Sequence, residues 1–410
     1  MRENIIILSQ NTHSFLHNEI IYASNVFQRV IVVCPPSIEI KKITNDLLNV
    51  EILFYSKKDL YKYAITSLPC ILEKDKRAEL KKSIHNKTIS LKYLKHYFNF
   101  LAMERLFEIL LKDKLQLTDE EAENWIFYSA WYYVTAYAVT QAKLKYKNAK
   151  VISLAHSFEV DKIKFPYIRG LFRNIYHNRL DELSFISQNV YRIFKKDIAK
   201  PLNLSLDNVY VKYLGTRKLF KGVNKPSTDG ILRVVSCSNI IPVKRVDLIF
   251  HTLDKFESLP IEWTHFGSGD QMDYLKELIK HKNNKNLKVN LLGKVENIKI
   301  HKYYVENPVD LFINTSVSEG IPVSIMEAIA YGIPVVATDV GGNSEIVKEE
   351  FGRLICKDPT VEEIKEAILS IVMLSNQEKL EMRQNAIEFF INNFDADNIR
   401  KEFFQKLKNE

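Results

Sequence analysis

Short runs rich in β-branched residues alternate with helix-length stretches along all 410 residues, and that alternation confines the chain to a parallel α/β architecture. In the first half, strands are expected at residues 4–10, 29–34, 50–55, 150–155, 182–187 and 209–214. A long helical block, residues 74–147, separates the third from the fourth. It is expected to hold an aromatic helix at residues 125–133 (WIFYSAWYY), serving as core packing. Residues 215–230 (GTRKLFKGVNKPSTDG) are polar, carry Gly, Pro, Ser and Asp, and read as a linker. The alternation then starts afresh, with strands expected at 232–237, 263–266, 288–292, 310–314, 334–337 and 353–356. Residues 376–410 read as amphipathic helix without a core of their own. The length agrees with two doubly wound domains of about 200 residues each. Folds of this kind bind nucleotides at the carboxyl ends of their strands.

Composition narrows the setting. Cys34, Cys70, Cys237 and Cys356 are scattered, with no CxxC pair and no His at ligand spacing, so reduced thiols are expected in place of a disulfide framework or zinc site. The apolar run at residues 5–8 is too short for a signal peptide core. Residues 125–139 fall short of the roughly 18 to 20 apolar residues a membrane span needs. A cytoplasmic protein is expected, soluble or peripheral on the inner face of the cell membrane. The net charge is +8, and residues 57–114 alone carry fourteen Lys and Arg against seven Asp and Glu. That segment fits a solvated helical face or a patch for anionic lipid or a lipid-linked diphosphate. No nucleic-acid motif accompanies it, so no nucleic-acid partner is expected.

The densest chemistry follows the strand expected at 310–314. There Glu319 and Glu327 flank Gly320-Ile321-Pro322-Val323-Ser324. Pro322 suits a helix start, and Gly320 lets a ligand approach the backbone. First-turn amides around residues 321–324 are unpaired donors at the positive end of a helix dipole, suited to a phosphate. A carboxylate accepts two hydrogen bonds from a vicinal diol, the feature shared by a ribose and a hexose. A glycoside hydrolase also uses two carboxylates, but a nucleotide-type fold with a helix start between them points to a leaving group that is already a phosphate.

These residues resemble the EX7E signature of the retaining GT-B glycosyltransferases of family 4. The resemblance covers residues 232–355. It includes Ser236-Cys-Ser-Asn-Ile-Ile-Pro-Val-Lys244-Arg-Val-Asp247, Phe266-Gly267-Ser-Gly269 and Ala337-Thr-Asp-Val-Gly341-Gly342-Asn-Ser-Glu345-Ile. In the first half, Phe15-Leu-His-Asn-Glu19-Ile and Ala155-His156 with Phe158-Glu159 resemble motifs of polysaccharide-synthesising members.

The resemblance implies an α/β GT-B fold, two Rossmann-like doubly wound domains facing a cleft, with C-terminal helices. Residues 1–215 would form the acceptor domain, 216–230 the linker and 231–375 the nucleotide-sugar donor domain. Residues 376–410 would pack back on the first domain. It further implies that Glu327 holds the ribose, Glu319 the donor sugar and Lys244 the diphosphate, with His156 near the reacting carbon. Backbone near Val295 would meet the base, and Gly267 would lie in a turn. Most family members have an arginine where Asn239 stands, and Arg245, where they usually have Gly, is the expected substitute. The Gly341-Gly342 pair is expected to be a structural turn near the phosphates.

The implied reaction moves a hexosyl group from an NDP-sugar, UDP-linked, to a saccharide or polyprenyl-diphosphate-linked acceptor in envelope polysaccharide synthesis. No DxD-like aspartate pair stands at a strand end, so no metal and no cofactor beyond the donor substrate is expected. Two other readings stand beside it: a GT-B enzyme such as a UDP-GlcNAc 2-epimerase, and a catalytically silent scaffold protein.

Overall fold

The structure, a computed structural model, describes residues 1–12, 14–85, 89–160 and 171–410. It comprises two units: Met1–Lys212 together with Arg400–Glu410, and Tyr213–Ile399.

The first unit is built on β1 (Asn4–Leu8), β2 (Arg29–Cys34), β3 (Val50–Phe54), β4 (Trp125–Ser129), β5 (Lys150–Ala155), β6 (Glu182–Phe185) and β7 (Val209–Val211). They form one parallel sheet in the order β3-β2-β1-β4-β5-β6-β7. β4 corrects the expectation of an aromatic helix at 125–133. Trp125–Ser129 pairs with β1 on one side and β5 on the other, and all five residues are buried. A strand covered on both faces reads as an unbroken apolar run, which periodicity cannot separate from a buried helix. The helix begins only at Val134–Val139, past an intervening turn.

The basic segment forms the helices Lys57–Thr66, Lys74–His85 and Leu91–Ile109. Lys57–Thr66 buries none of its residues, whereas Lys76 is interior, 2.8 Å from Glu104 and 2.9 Å from Glu73. The helix Ala396–Asn409 carries the chain back to the first sheet from Arg400 onward. Arg400 forms a buried ion pair with Glu19, whose Oε2 also accepts the Tyr128 hydroxyl at 2.7 Å. Phe404 packs edge-on against Phe27 and Tyr128, and the Arg2 amide donates to the Lys408 carbonyl at 2.6 Å.

The second unit holds β8 (Leu232–Cys237), β9 (Ile261–Phe266), β10 (Leu287–Leu291), β11 (Leu311–Asn314), β12 (Val335–Thr338) and β13 (Gly352–Ile355). Their order, β10-β9-β8-β11-β12-β13, is all parallel and reverses direction between β8 and β11, the place where doubly wound sheets open a binding crevice. Residues 216–230, read as a linker, are packed into this unit. Buried Asn224 donates to the carbonyls of Tyr304 (2.6 Å) and Asn307 (2.8 Å) and accepts from Arg383 at 3.0 Å. The polarity of the segment is thus used to satisfy buried backbone groups, not to stay in solvent. Among the described residues no helix is long and apolar enough to cross a membrane.

Candidate functional site

The carboxyl ends of β8 and β9 and the loop after β11 enclose a cavity of about 410 Å³. Lys244, Glu319, Ile321, Pro322, Val323, Gly267, Val295 and Asn239 line it, as do Cys237, Ser238 and Lys294. Gly320 and Glu327 do not reach its lining, and His156 lies in the other unit.

Glu319 is held from one side. Its Oε1 accepts from Lys244 Nζ at 2.6 Å, Ser316 Oγ at 2.6 Å and Asn314 Nδ2 at 3.1 Å. Among the described residues nothing donates to Oε2, which is therefore the oxygen left for a ligand. The turn that carries Glu319 is wedged by Gly341 (φ +57°), where a Cβ would fall 1.9 Å from the Glu319 carbonyl oxygen. The Gly342 amide donates to the Gly320 carbonyl at 2.8 Å. The glycine pair thus shapes the turn from behind.

The helix Val323–Ala330 starts at this cavity with Pro322 as its N-cap residue, and no side chain caps it. Its first amides have no partner within the helix and sit at the positive end of its dipole, with Val323 and Ser324 in the cavity wall. One turn further in, Glu327 is buried. Its Oε1 accepts from Asn297 Nδ2 at 2.8 Å and lies 3.5 Å from His301 Nε2.

The cavity wall is itself tied down. Trp263 Nε1 donates to Ser236 Oγ at 2.9 Å, and Ser236 lies 2.8 Å from His265 Nδ1. His265 Nε2 then donates to the Ser238 carbonyl at 3.1 Å. Burial pulls the His265 imidazole down to about 4 against that one bond, so it is neutral and holds this tautomer. Burial first, and then the Glu327 carboxylate, pushes the Cys237 thiol up to about 12 although Lys244 opposes. Cys237 is therefore an apolar wall at neutral pH, not a nucleophile.

Arg245 requires a correction. Its Nε donates to the Thr315 carbonyl (2.7 Å), Nη1 lies 2.7 Å from Asp358, and Nη2 donates to the carbonyls of Lys357 (2.7 Å) and Ser316 (3.4 Å). The guanidinium is spent on these partners and is absent from the cavity lining. Its backbone is left-handed (φ 47°), the conformation glycine adopts most readily. The second cation at the cavity is instead Lys294, exposed and in no ion pair among the described residues. Sequence reasoning passed over it, and over Asn297 and His301. The available signal was their spacing, with a cation directly before Val295 and two hydrogen-bonding side chains one helical turn apart.

In the first unit His156 directly follows β5. Its ring stacks on Trp131 (centroids 4.3 Å apart), and Nε2 donates to the Ala130 carbonyl at 3.2 Å. Its backbone amide donates to Glu159 Oε2 at 2.9 Å, and the Tyr132 amide donates to Oε1 at 3.0 Å. Arg173 closes the cluster, donating to the carbonyls of Tyr132 (3.1 Å) and Glu159 (3.3 Å).

Two Rossmann-like units on parallel sheets, with helices at the C-terminal end, are the GT-B fold. Residues 217–389 match the family model of the glycosyl transferases group 1. Anabaena Alr3699/HepE, solved in complex with UDP, superposes with a TM-score of 0.67 at 17% identity over 100% of both chains. The Escherichia coli O-antigen biosynthesis glycosyltransferase WclY is 22% identical over 291 residues, 65% of this chain and 74% of that one. One component of the Arabidopsis thaliana phosphatidylinositol N-acetylglucosaminyltransferase is 28% identical over 167 residues. That match covers 40% of this chain and only 36% of the Arabidopsis protein's length.

Proposed function

We propose that the protein is a retaining glycosyltransferase. It moves a hexosyl group from an NDP-sugar, UDP-linked, to a saccharide or polyprenyl-diphosphate-linked saccharide acceptor in polysaccharide synthesis. The observation that carries this is Lys244 Nζ at 2.6 Å from Glu319 Oε1, in a cavity closed by an uncapped helix start. The matched family model supports it, as do the UDP bound by the Anabaena protein and the O-antigen role of the Escherichia coli relative.

In this reading the helix amides around Val323 and the ammonium groups of Lys244 and Lys294 bind the diphosphate. Breaking the glycosidic bond adds negative charge there, so their attraction is larger in the transition state than in the bound donor. Glu319 Oε2 orients the sugar hydroxyls, and Glu327 takes the ribose. His156 serves the reacting face. The departing phosphate accepts the acceptor proton, so no protein nucleophile is needed. The positive charge the reaction requires comes from lysines and a helix terminus, and no metal or other cofactor enters the proposal.

Nucleotide binding tests the assignment. Glu327→Ala weakens binding of UDP, whereas Glu319→Ala preserves it and impairs transfer. Unchanged UDP affinity in Glu327→Ala removes the ribose role.

The same reading places the protein peripherally on an anionic membrane surface through residues 57–114. What supports it is the helix Lys57–Thr66, where Tyr61 and Ile65 stand exposed beside Lys57, at a groove of about 720 Å³ that Lys95 and Phe98 also line. Each basic residue near an anionic surface contributes about 1 kcal/mol. Screening shortens from about 10 Å at 0.1 M salt to about 3 Å at 1 M. Co-sedimentation with anionic vesicles is therefore expected at low salt and lost at high salt. Equal sedimentation with neutral vesicles removes the electrostatic role.

A further inference from the structure

Behind the cavity, Glu327 is one end of a buried chain of polar groups that the proposed reaction does not use. Tyr331 hydroxyl lies 2.9 Å from His301 Nδ1 and accepts the Phe220 amide at 3.2 Å. Among the described residues Nδ1 is the acceptor within hydrogen-bond reach of this buried hydroxyl, so the phenol gives its own proton to Nδ1. The imidazole proton is then on Nε2, which lies 3.5 Å from Glu327 Oε1, beyond a formed hydrogen bond, and has no hydrogen-bond partner among the described residues. His301 is 1% exposed and Tyr331 fully buried, so neither tautomer nor ring orientation is set by solvent. Asn297 Nδ2 donates to the same Oε1 at 2.8 Å, and nothing among the described residues donates to Oε2.

We propose that His301, its tautomer held by Tyr331, is a positioning residue for Glu327. Asn297 holds Oε1, the His301 N–H faces the same oxygen and closes on it when the donor binds, and Oε2 is turned toward the ribose, so that the site distinguishes a nucleotide carrying both ribose hydroxyls from one lacking them. The inference rests on Glu327 as the ribose ligand. A free carboxylate could rotate and offer either oxygen, whereas one pinned at Oε1 presents a single acceptor in a fixed direction. The ordering cost is then met before the ligand arrives. A polar pocket built to receive a hydroxyl loses most when the hydroxyl is missing.

The test is calorimetric binding of UDP and of 2′,3′-dideoxy-UDP to the full chain. The wild type is expected to prefer UDP. His301→Phe, which keeps a buried ring and removes the donor, loses about tenfold in UDP affinity, the scale of one hydrogen bond to a charged group. Its dideoxy-UDP affinity is unchanged, so the preference collapses. His301→Gln, whose amide reaches the Nε2 position, restores it, and Tyr331→Phe reduces it partway by releasing the tautomer. A purely structural histidine would lower both affinities together, and that outcome overturns the proposal. So does a preserved preference in Tyr331→Phe, which stands even if His301→Phe does not fold. If Glu327→Ala loses the preference while the His301 and Tyr331 variants keep it, this inference alone fails. If Glu327→Ala itself binds both nucleotides as the wild type does, the ribose assignment fails with it.

Discussion

Lys244 and Glu319 meet at 2.6 Å across 75 residues of sequence, and on the Glu319 side the contact is shared with Ser316 and Asn314. In the proposed reaction Lys244 is bound in advance where the diphosphate arrives, and Glu319 keeps two further donors when the lysine turns to the ligand. Removing the lysine therefore costs little folding energy and much catalysis. Lys244→Ala is expected to lose about a hundredfold in kcat, roughly 3 kcal/mol of transition-state stabilisation. Its melting temperature should stay within a few degrees of wild type. Steady-state kinetics and a thermal melt check both halves, and an active Lys244→Ala enzyme contradicts the assignment.

Arg245 supplies the contrast. Its partners are the Thr315, Ser316 and Lys357 carbonyls and Asp358, so its loss is felt in the loop after β11. Arg245→Ala is expected to destabilise by about 1–3 kcal/mol, the range for hydrogen bonds to a charged group, with little change in kcat. Arg245→Gly recovers part of that loss because φ is 47° there. Lys294→Ala should show the reverse pattern, a kinetic loss without a stability loss. Denaturant titration beside kinetics separates the two, and a catalytic defect confined to Arg245→Ala would reverse the roles.

Glu159 gives stability a pH dependence. Burial pushes its carboxyl up to about 8, against the amides of His156 and Tyr132 and the Arg173 charge, which pull it down. The folded value lies above the unfolded one, so folding favours the protonated form. The stabilisation is complete below the unfolded value near 4.5 and is lost as pH rises through 8. Thermal melts from about pH 5 to pH 9 should show a decline in the wild type that flattens in Glu159→Gln. Parallel curves for the two proteins would exclude Glu159 as its source.

Glu19 and Arg400 test the return of the chain to the first sheet. Both are almost wholly buried, so Glu19→Ala leaves an unpaired interior cation and is expected to cost about 3–5 kcal/mol. Glu19→Leu combined with Arg400→Met removes both charges and should cost far less. Urea unfolding of the single and double variants measures the difference, and additive losses would show that the pair is not coupled.

The second unit was the more legible half in sequence. Its strands are short and its helices amphipathic, so each expected strand lies within about two residues of the observed one. The run around Glu319 and Glu327 could be read because backbone geometry, not distant packing, dictates Gly320, Pro322 and the helix start. Arg245 could not, because its side-chain direction depends on carbonyls that only the folded loop brings near. His301 was hidden for a related reason. A histidine in an amphipathic helix carries no mark of what it faces, and its partner Tyr331 is 30 residues away. In the first unit, β4 was missed because full burial erases alternation, and Glu19 was noticed for its motif without any sign of Arg400.

The route of the chain also sets an order of events during synthesis. When residues 1–212 have left the ribosome, every strand of the first sheet exists, but Glu19, Tyr128 and Phe27 still lack the helix that covers them. That helix is translated only after the whole second unit. The usual progression, in which the N-terminal domain finishes first, is therefore inverted here, with the second unit free to complete itself while the first waits. A nascent chain in that interval exposes an apolar face around Phe27 and a carboxylate, Glu19, that still lacks its counter-ion. A stop codon before Arg400 would cripple the unit made earliest and leave intact the one made last.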